Sequence, residues 1–400
     1  MKVTIFSGIT GFDKTQYVKG LTQLCLKRNG LPEDLESDKC KRFIYYSKFE
    51  DELLAENGSS TDISTFLEKP RFEEKSRIVE GAFQKIGERI RSLRPENVFL
   101  DIHLSYFKRS EFFPPLHPAL LRQLDPYGDS PIKVVTLMDD VFNIWQNIRK
   151  RESLYPGTKL RLREILSWRS VEMLQAESVA NIYATENRSV KNYLVPVRHP
   201  PDSVCNLILK ERPVCAYLSF PITNTRGDPE RVKDINQMRL KIHQIFLENE
   251  AVLFDPITVD ELALETALGL CGDEPNVSLD AGMRWPIEKS PLVPEPQWPI
   301  HIPKDEVEEV IEDIRNHIRS RDFKLIDNSR FTLVYRPYFG GFSKGVDQEI
   351  GYTIFLGKRP YIHDPEQDHE PGARHPFDHS CVLLPTSNDF IEKATELCRS

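Results

Sequence analysis

The chain has 400 residues, with 53 lysines and arginines against 61 aspartates and glutamates, so its formal net charge is −8. Because single hydrophobic cores stop growing at roughly 250 to 300 residues, this length predicts two domains. The negative charge argues against a general polyanion-binding surface, and the 40% hydrophobic content argues against intrinsic disorder. We therefore expect a globular protein whose partners do not include nucleic acid.

The sequence also predicts that the protein has no membrane partner. No run approaches the roughly 18 to 20 uninterrupted apolar residues of a membrane span. The opening MKVTIFSGIT is typical of a strand rather than of a signal peptide, so we expect a cytoplasmic location. The seven cysteines are scattered and include no C-x-x-C pair, which predicts reduced thiols and no zinc site.

The first half of the chain alternates short apolar runs with helical periodicity. The runs predict strands at 2–6, 42–46, 97–101, 133–138 and 192–197. Apolar positions at three- and four-residue spacing predict helices at 14–28, 72–93, 141–151 and 160–180. This alternation is typical of a doubly wound α/β fold with a parallel sheet.

The second half repeats the α/β alternation after a proline-containing break. We place one domain at 1–207 and a second at 213–400. Strands are predicted at 214–220, 251–254, 331–335 and 359–362, and helices at 229–249, 304–322 and 345–356. The Pro-rich stretch 270–303 is interpreted as an insertion or active-site flap, and the His-rich stretch 363–379 as a solvated loop, because its spacing matches no zinc motif.

The segment from Gly8 to Thr15 follows the first strand and resembles a phosphate-binding loop. Its letters GITGFDKT fit G-x-x-x-x-G-K-[ST] except that Asp13 replaces the second glycine of the pattern. Gly8, Gly11, Lys14 and Thr15 supply the backbone freedom, the cation and the hydroxyl that a nucleotide phosphate and Mg²⁺ require. Asp13 instead places a carboxylate where the anion would lie.

Other residues of the first half extend this pattern. Asp101 ends the strand 97–101, as a Mg²⁺-orienting carboxylate would, and together with Thr15 it is the candidate metal ligand. Arg163 and Arg169 lie on a later helix and are candidate phosphate clamps. Most of 1–200 therefore resembles the P-loop nucleoside and nucleotide kinases, which implies ATP and Mg²⁺ as candidate cofactors. An active kinase, nucleotide binding without turnover and a purely structural role all stay open.

The second half contains a sharper motif, SKGVDQEIGY, at 343–352. It follows the predicted strand 331–335 and begins the helix 345–356. Gly345 is expected to let the chain turn tightly off the strand, with backbone N–H groups and the Ser343 hydroxyl facing a ligand at the helix N-terminus. Glu349 then lies about one turn into the helix and faces the same pocket.

This motif resembles the nucleoside 2-deoxyribosyltransferase superfamily, and most closely its 2′-deoxynucleoside 5′-phosphate N-hydrolases. The resemblance covers roughly 214–365, from the strand with Tyr217 and Ser219, through Arg226, to Asp322 and the glutamate loop. It implies a flavodoxin-like Rossmann sheet, a homo-oligomer and cleavage of an N-glycosidic bond without a cofactor. Tyr217, Ser219, Arg226, Ser343 and Gly345 would then bind a nucleotide or nucleoside.

The resemblance assigns the two catalytic carboxylates. Glu349 would be the nucleophile, and Asp322 would orient a sugar hydroxyl or protonate the leaving base. The competing interpretations are a surface glutamate for Glu349 and a member of a generally acidic helix for Asp322. Asp255 and Asp260 follow the strand 251–254, where a turn or cap is expected and pocket lining is the alternative.

Several functions stay open from the sequence. The glycosidase could be a hydrolase or a transferase, since either water or a second base can accept the sugar. It could also be a regulated effector that depletes NAD or ATP when the first domain binds a nucleotide. The alternatives from other classes are a nucleotide kinase and a non-catalytic nucleotide sensor.

Overall fold

The computed structural model describes residues 1–58, 63–69, 71–108, 111–116, 118–125, 128, 130–150, 160–185, 190–226, 228–336, 343–365 and 380–399. These residues form two compact units. Unit 1 comprises Met1–Val197 with Ser290–Gln297, and unit 2 comprises Arg198–Lys289 with Trp298–Ser400. The His-rich stretch 363–379 lies outside the described residues from 366 onward.

Unit 1 is built on a five-stranded parallel sheet in the order β2-β3-β1-β6-β7, with a short antiparallel pair, β4 and β5, beside it. Its strands are β1 Lys2–Ser7, β2 Ile44–Lys48, β3 Asn97–Asp101, β4 Tyr106–Lys108, β5 Glu111–Phe113, β6 Ile132–Met138 and β7 Val190–Pro196. The five sheet strands lie where the apolar runs predict them. Every residue of β3 and β6 is buried, as expected for strands covered on both faces.

Helices cover the sheet of unit 1. They are α1 Lys14–Arg28, α2 Asp38–Phe43, α3 Phe49–Glu56, α4 Ile63–Leu67, α5 Phe72–Leu93, α6 Pro118–Leu124, α7 Val141–Lys150 and α8 Leu162–Thr185. The amphipathic helix α5 shows why they fold where they do. Val79, Phe83, Ile86 and Ile90 recur at helical spacing, and all four are buried in the core with strands β1 and β3.

Unit 2 contains a second five-stranded parallel sheet, in the order β14-β13-β12-β8-β9, and an antiparallel pair of β10 and β11. Its strands are β8 Cys215–Ser219, β9 Val252–Phe254, β10 Asn276–Leu279, β11 Ile300–Pro303, β12 Phe331–Tyr335, β13 Tyr361–His363 and β14 Val382–Leu384. Its helices are α9 Pro201–Leu209, α10 Ile222–Thr225, α11 Pro229–Glu248, α12 Leu262–Leu270, α13 Lys304–Asp327, α14 Lys344–Phe355 and α15 Ser387–Cys398. The predicted α/β class with parallel sheets is therefore confirmed.

The order of the strands in unit 2 creates a switch point between β8 and β12. The chain passes from β8 to β9 on one side and later returns to β12 on the other side of β8. Loops leaving the carboxyl ends of β8 and β12 therefore diverge and leave a crevice, which is where open α/β sheets bind ligands.

Helix α9 and the stretch 270–303 differ from the sequence predictions. Helix α9 begins with Pro201 in its first turn, which a helix tolerates because the first N–H groups have no intrahelical acceptor. It packs against β9 and belongs to unit 2, so the structural division lies at Val197 rather than at 207–213. The stretch 270–303 is not irregular throughout, because β10 and β11 pair within it.

The cysteine prediction holds for Cys40, Cys215, Cys271, Cys381 and Cys398, which are free thiols. It is wrong for Cys25 and Cys205, which are disulfide-bonded. Within the described part of the chain, no helix combines the length and the apolar character needed to cross a membrane.

Candidate functional site

A pocket in unit 2 opens at the switch point between β8 and β12. It encloses about 500 Å³ of empty space, including its open mouth. Its lining combines a carboxylate-rich wall with apolar side chains, and comprises Phe220, Ile222, Thr223, Pro256, Ile257, Val259, Asp260, Glu261, Leu262, Ile318, Arg321, Asp322, Ser343, Gly345, Val346 and Glu349. Four of the predicted site residues, Asp322, Ser343, Gly345 and Glu349, thus share one pocket.

The N-terminus of α14 forms one side of this pocket. Ser343 is its N-cap, and the Ser343 hydroxyl accepts a hydrogen bond from the Val346 N–H at 3.3 Å. This cap satisfies one of the free N–H groups of the first turn, and Ser343, Gly345 and Val346 of that turn line the pocket. The positive end of the helix dipole therefore faces any ligand bound there.

Gly345 has a different role from the one the sequence suggests. It lies in the first turn of α14 with no left-handed backbone conformation, so the turn off β12 does not require glycine. A Cβ atom added at Gly345 would come within 4 Å of only one atom, the Ser343 Oγ at 3.9 Å. What the glycine provides is space at the pocket wall.

A substitution at Gly345 should impair ligand binding without destabilising the fold. We expect Gly345→Ala to leave unit 2 folded and to stabilise it by up to about 1 kcal/mol, because alanine has the higher helix propensity. The added methyl group should narrow the pocket and raise the KM for a ligand at the α14 N-terminus. Thermal melting together with steady-state kinetics checks both effects, and a variant that unfolds would contradict the assignment.

Glu349 is held by side chains from the neighbouring strand β8. The Ser219 hydroxyl donates a hydrogen bond to the Glu349 Oε2. The Tyr217 hydroxyl is buried beside it without a hydrogen bond of standard geometry. Burial, followed by the negative charges of Asp322 and Glu349, raises the pKa of Tyr217 well above its usual value. Tyr217 and Ser219 thus contact the nucleophile candidate rather than standing in the lining as direct ligand contacts.

Asp322 is buried on α13 and paired with the residue before it. The Arg321 guanidinium contacts the Asp322 Oδ1 through its Nε and Nη2, each at 2.9 Å, and its Nη1 donates to the Val259 carbonyl at 2.6 Å. Asp322 lies well inside the long helix α13, which continues to Asp327 instead of ending at 322. The helix therefore presents both Arg321 and Asp322 to the pocket.

The two carboxylates influence each other's protonation. Burial, and then the charge of Asp322, raises the pKa of Glu349 to about 8, against the lowering effect of the Ser219 hydrogen bond. Burial also raises the pKa of Asp322, although Arg321 opposes it. Two carboxylates in such surroundings titrate as a pair, and at neutral pH the pair retains one proton.

Arg226 does not reach the pocket as a free cation. Its guanidinium forms an ion pair with Asp260, and its Nη1 donates to the Met283 carbonyl at 2.6 Å. The other Asp260 oxygen accepts from the Trp285 N–H at 2.7 Å. Arg226 therefore fixes a pocket-lining carboxylate.

The sequence reasoning missed Arg321 and Glu261, and it treated pocket lining as the second choice for Asp260. Asp255 does cap the short 3-10 turn Pro256–Thr258, as expected for a carboxylate after a strand. The sequence did carry a signal for Asp260 and Glu261. Both lie in the segment that follows β9, and loops at the carboxyl ends of parallel strands line ligand sites.

In unit 1 the predicted nucleotide residues contact one another. The Lys14 Nζ lies 2.7 Å from the Asp101 Oδ1 and donates to the Ile102 carbonyl at 2.6 Å. The Thr15 hydroxyl donates to the Asp101 Oδ2 at 2.9 Å. Lys14 and Asp101 are both buried. Their pairing holds the pKa of Asp101 below its usual value, with Lys14 outweighing the opposing effect of burial.

The loop that precedes Lys14 is also bound by carboxylates of the protein itself. Asp13 caps α1 by accepting from the Gln16 N–H at 3.1 Å, and the Gly8 N–H donates to the buried Glu172 at 3.1 Å. Gly8 and Gly11 have positive φ angles of 146° and 124°, and a Cβ atom at either one would clash with β6 or α7. The glycines therefore serve close backbone packing.

The candidate phosphate clamps lie on α8. Arg163 is exposed, while Arg169 is buried with its Nη1 3.5 Å from the Asp139 carbonyl. Among the described residues, no group of three or more His, Cys, Asp or Glu side chains is arranged to hold a metal ion. As arranged, Lys14, Thr15 and Asp101 satisfy one another and do not fit an ATP–Mg²⁺ complex, so we derive no phosphoryl-transfer step.

No protein-family model matches the chain, and no curated protein matches it.

Proposed function

We propose that unit 2 cleaves the N-glycosidic bond of a nucleoside or nucleotide, with Glu349 as the nucleophile. The observation that supports this most directly is the meeting of Glu349 and Asp322 in one pocket at the switch point of the sheet. Glycosidic bonds are cleaved by paired carboxylates of this kind, through an oxocarbenium-like transition state.

In the first step, a Glu349 carboxylate oxygen forms a bond to C1′ of the sugar as the C1′–N bond breaks. The electron pair of that bond leaves with the base, and the proton retained by the carboxylate pair passes through Asp322 to a nitrogen of the base. The Ser219 hydroxyl holds Glu349 in place. Arg321 orients Asp322, because its guanidinium is fixed to the Val259 carbonyl.

In the second step, an acceptor attacks C1′ and releases Glu349. Water would give the free sugar, and a second base would give a new nucleoside. In either case the acceptor's proton returns to the carboxylate pair, which restores the starting state. The α14 N-terminus, with Ser343 and Gly345, would bind a sugar oxygen or a 5′-phosphate.

The proton shared by the two carboxylates predicts a bell-shaped pH profile. Activity should fall above about pH 8, where the pair loses its last proton. In Asp322→Asn only Glu349 titrates, and its pKa falls because the neighbouring negative charge is gone. Its residual activity should therefore rise with pH to a plateau, without the alkaline fall. Measuring kcat/KM from pH 5 to 10 for both proteins checks this. A bell-shaped profile that is unchanged in Asp322→Asn would contradict the proposal that Glu349 and Asp322 share one proton.

The internal pairing in unit 1 favours a structural role for its loop. Lys14 is bound to Asp101, α1 is capped by Asp13, and Gly8 is bound to Glu172, so each group that would hold a phosphate has a partner within the protein. The kinase and the nucleotide-gated effector are the competing proposals. The cytoplasmic location and the homo-oligomer remain predictions.

One experiment separates these functions. The purified protein is incubated with ribo- and deoxyribonucleosides, their 5′-phosphates and NAD, with and without ATP and Mg²⁺, and free base is followed by chromatography. Base release by the wild type and not by Glu349→Ala supports the glycosidase and names its substrate. Phosphoryl transfer without base release supports the kinase, and binding without either product supports the sensor.

A further inference from the structure

The pocket wall formed by 255–262 is held from behind by a buried ion cluster. Asp255 is fully buried, and its Oδ2 accepts from the Arg239 Nε at 2.5 Å and from the His243 Nε2 at 2.8 Å. Arg239 and His243 both lie on α11, outside the pocket lining. The Asp255 Oδ1 accepts from the Ile257 N–H at 3.1 Å. One carboxylate thus joins α11 to the first residues of the wall.

The rest of the wall is pinned at two further points. The Val259 carbonyl accepts from Arg321, and Asp260 is bound by Arg226 and by the Trp285 N–H. A wall anchored in this way cannot move without breaking several buried hydrogen bonds. Asp255 is the most deeply buried of the three anchors, and its Oδ2 accepts from both Arg239 and His243.

Asp255 also acts on the catalytic pair through its charge. Its negative charge contributes to the raised pKa of Asp322, while Arg239 and His243 keep Asp255 itself ionised and its pKa far below the usual value, against the opposing effect of burial. Larger charge effects on Asp322 come from Arg321 on α13, which lowers its pKa, and from Glu261 on the wall, which raises it, while Tyr217 on β8 and Arg321 lower the pKa of Glu349. Asp255 and Glu261, two carboxylates of the wall, therefore both favour retention of the proton by the Glu349–Asp322 pair.

Two further neighbours of the cluster add no charge: Asn236, whose Oδ1 accepts from the Arg239 Nη1 at 2.8 Å, and His199. His199 is buried, stacks on Phe254 with ring centroids 5.6 Å apart, and lies 6.3 Å from the His243 ring. Burial lowers the pKa of His199 to about 3, so it stays neutral wherever the carboxylate pair titrates.

We propose that Arg239 and His243 are positioning residues for the reaction: by binding Asp255 from behind the pocket, they fix the wall 255–262 and hold a negative charge beside Asp322. This inference rests on the proposed N-glycosidase. It assigns a function to the buried Asp255 and Arg239 and the half-buried His243, none of which lines the pocket. Removing the charge of Asp255 should make it easier for the carboxylate pair to lose its last proton.

The test compares Asp255→Asn with a matched control. Asparagine keeps an oxygen that can accept from the Ile257 N–H and removes the charge. The control is Asp364→Asn, which neutralises an equally buried carboxylate paired with Arg336 at 2.7 Å; Asp364 follows β13 and Arg336 follows β12. The alkaline limb of kcat/KM should move to lower pH in Asp255→Asn and stay in place in the control. Arg239→Lys, which keeps the cation, should leave the limb in place and lower the rate.

A direct titration tests the inference even if the protein releases no base or if Asp255→Asn is too slow to assay. The ¹³C shift of the Asp322 carboxyl carbon, assigned with Asp322→Asn, is followed against pH in wild type, Asp255→Asn and Arg239→Lys. A lower midpoint in Asp255→Asn alone supports the inference even if no base is released, in which case only the proposed function fails. An unmoved midpoint, or a rate that falls equally at every pH, overturns the inference and leaves the glycosidase standing.

Discussion

Replacing Glu349 by Gln should abolish base release while stabilising the protein. The nucleophile forms the bond to C1′, and removing a group of this kind lowers kcat by a factor on the order of 10⁴ to 10⁶. Stability should change in the opposite direction. Because the folded-state pKa of Glu349 is raised to about 8, the unfolded chain releases its proton more readily, and the wild type loses stability as pH rises from about 4 to 8.

Glutamine carries no such proton, so the melting temperature of Glu349→Gln should exceed that of wild type, and most clearly above pH 8. Base release and thermal melting at pH 5 and pH 9 measure the two effects on the same samples. Asp347→Asn is the matched control, since Asp347 is an exposed carboxylate on the same helix, and it should resemble wild type in both assays. A Glu349→Gln protein that still releases base would show that Glu349 is a structural residue.

Replacing Lys14 by Met should strongly destabilise unit 1. The change leaves the buried Asp101 carboxylate without the cation that lies 2.7 Å away, and breaking one side of a buried ion pair costs about 3 to 5 kcal/mol. For a unit of this size we expect the melting temperature to fall on the order of 10 °C. Differential scanning calorimetry measures the shift.

The double variant Lys14→Met/Asp101→Asn tests the reason for that loss. It removes both charges, so most of the lost stability should return. Melting with ATP and Mg²⁺ distinguishes the two roles of the loop. No ATP-dependent rise in wild type agrees with an internally neutralised loop, whereas a rise of several degrees that Lys14→Met abolishes would identify a nucleotide site.

Local sequence patterns were sufficient for most of the secondary structure. The run VFL at 98–100 is apolar and VVTLM at 134–138 is interrupted only by Thr136, and such runs are typical of central parallel strands. The short pairs β4–β5 and β10–β11 were missed, because three or four residues carry too little periodicity to distinguish a strand from a loop. Helix α9 was missed because Pro200 and Pro201 suggested a break.

Local sequence patterns alone predict the α/β class and the N-terminal position of Ser343 and Gly345 on a helix that carries Glu349, since both depend on contacts between residues close in the chain. The expectation of two domains comes from the length of the chain. The tertiary structure alone decided which charges meet. Lys14 pairs with Asp101 across 87 positions of the chain, Ser219 reaches Glu349, and Arg239 binds Asp255 behind a wall that faces Asp322. These pairings depend on strand order, and one-dimensional spacing carries no information about which strand ends become neighbours at the edge of a sheet.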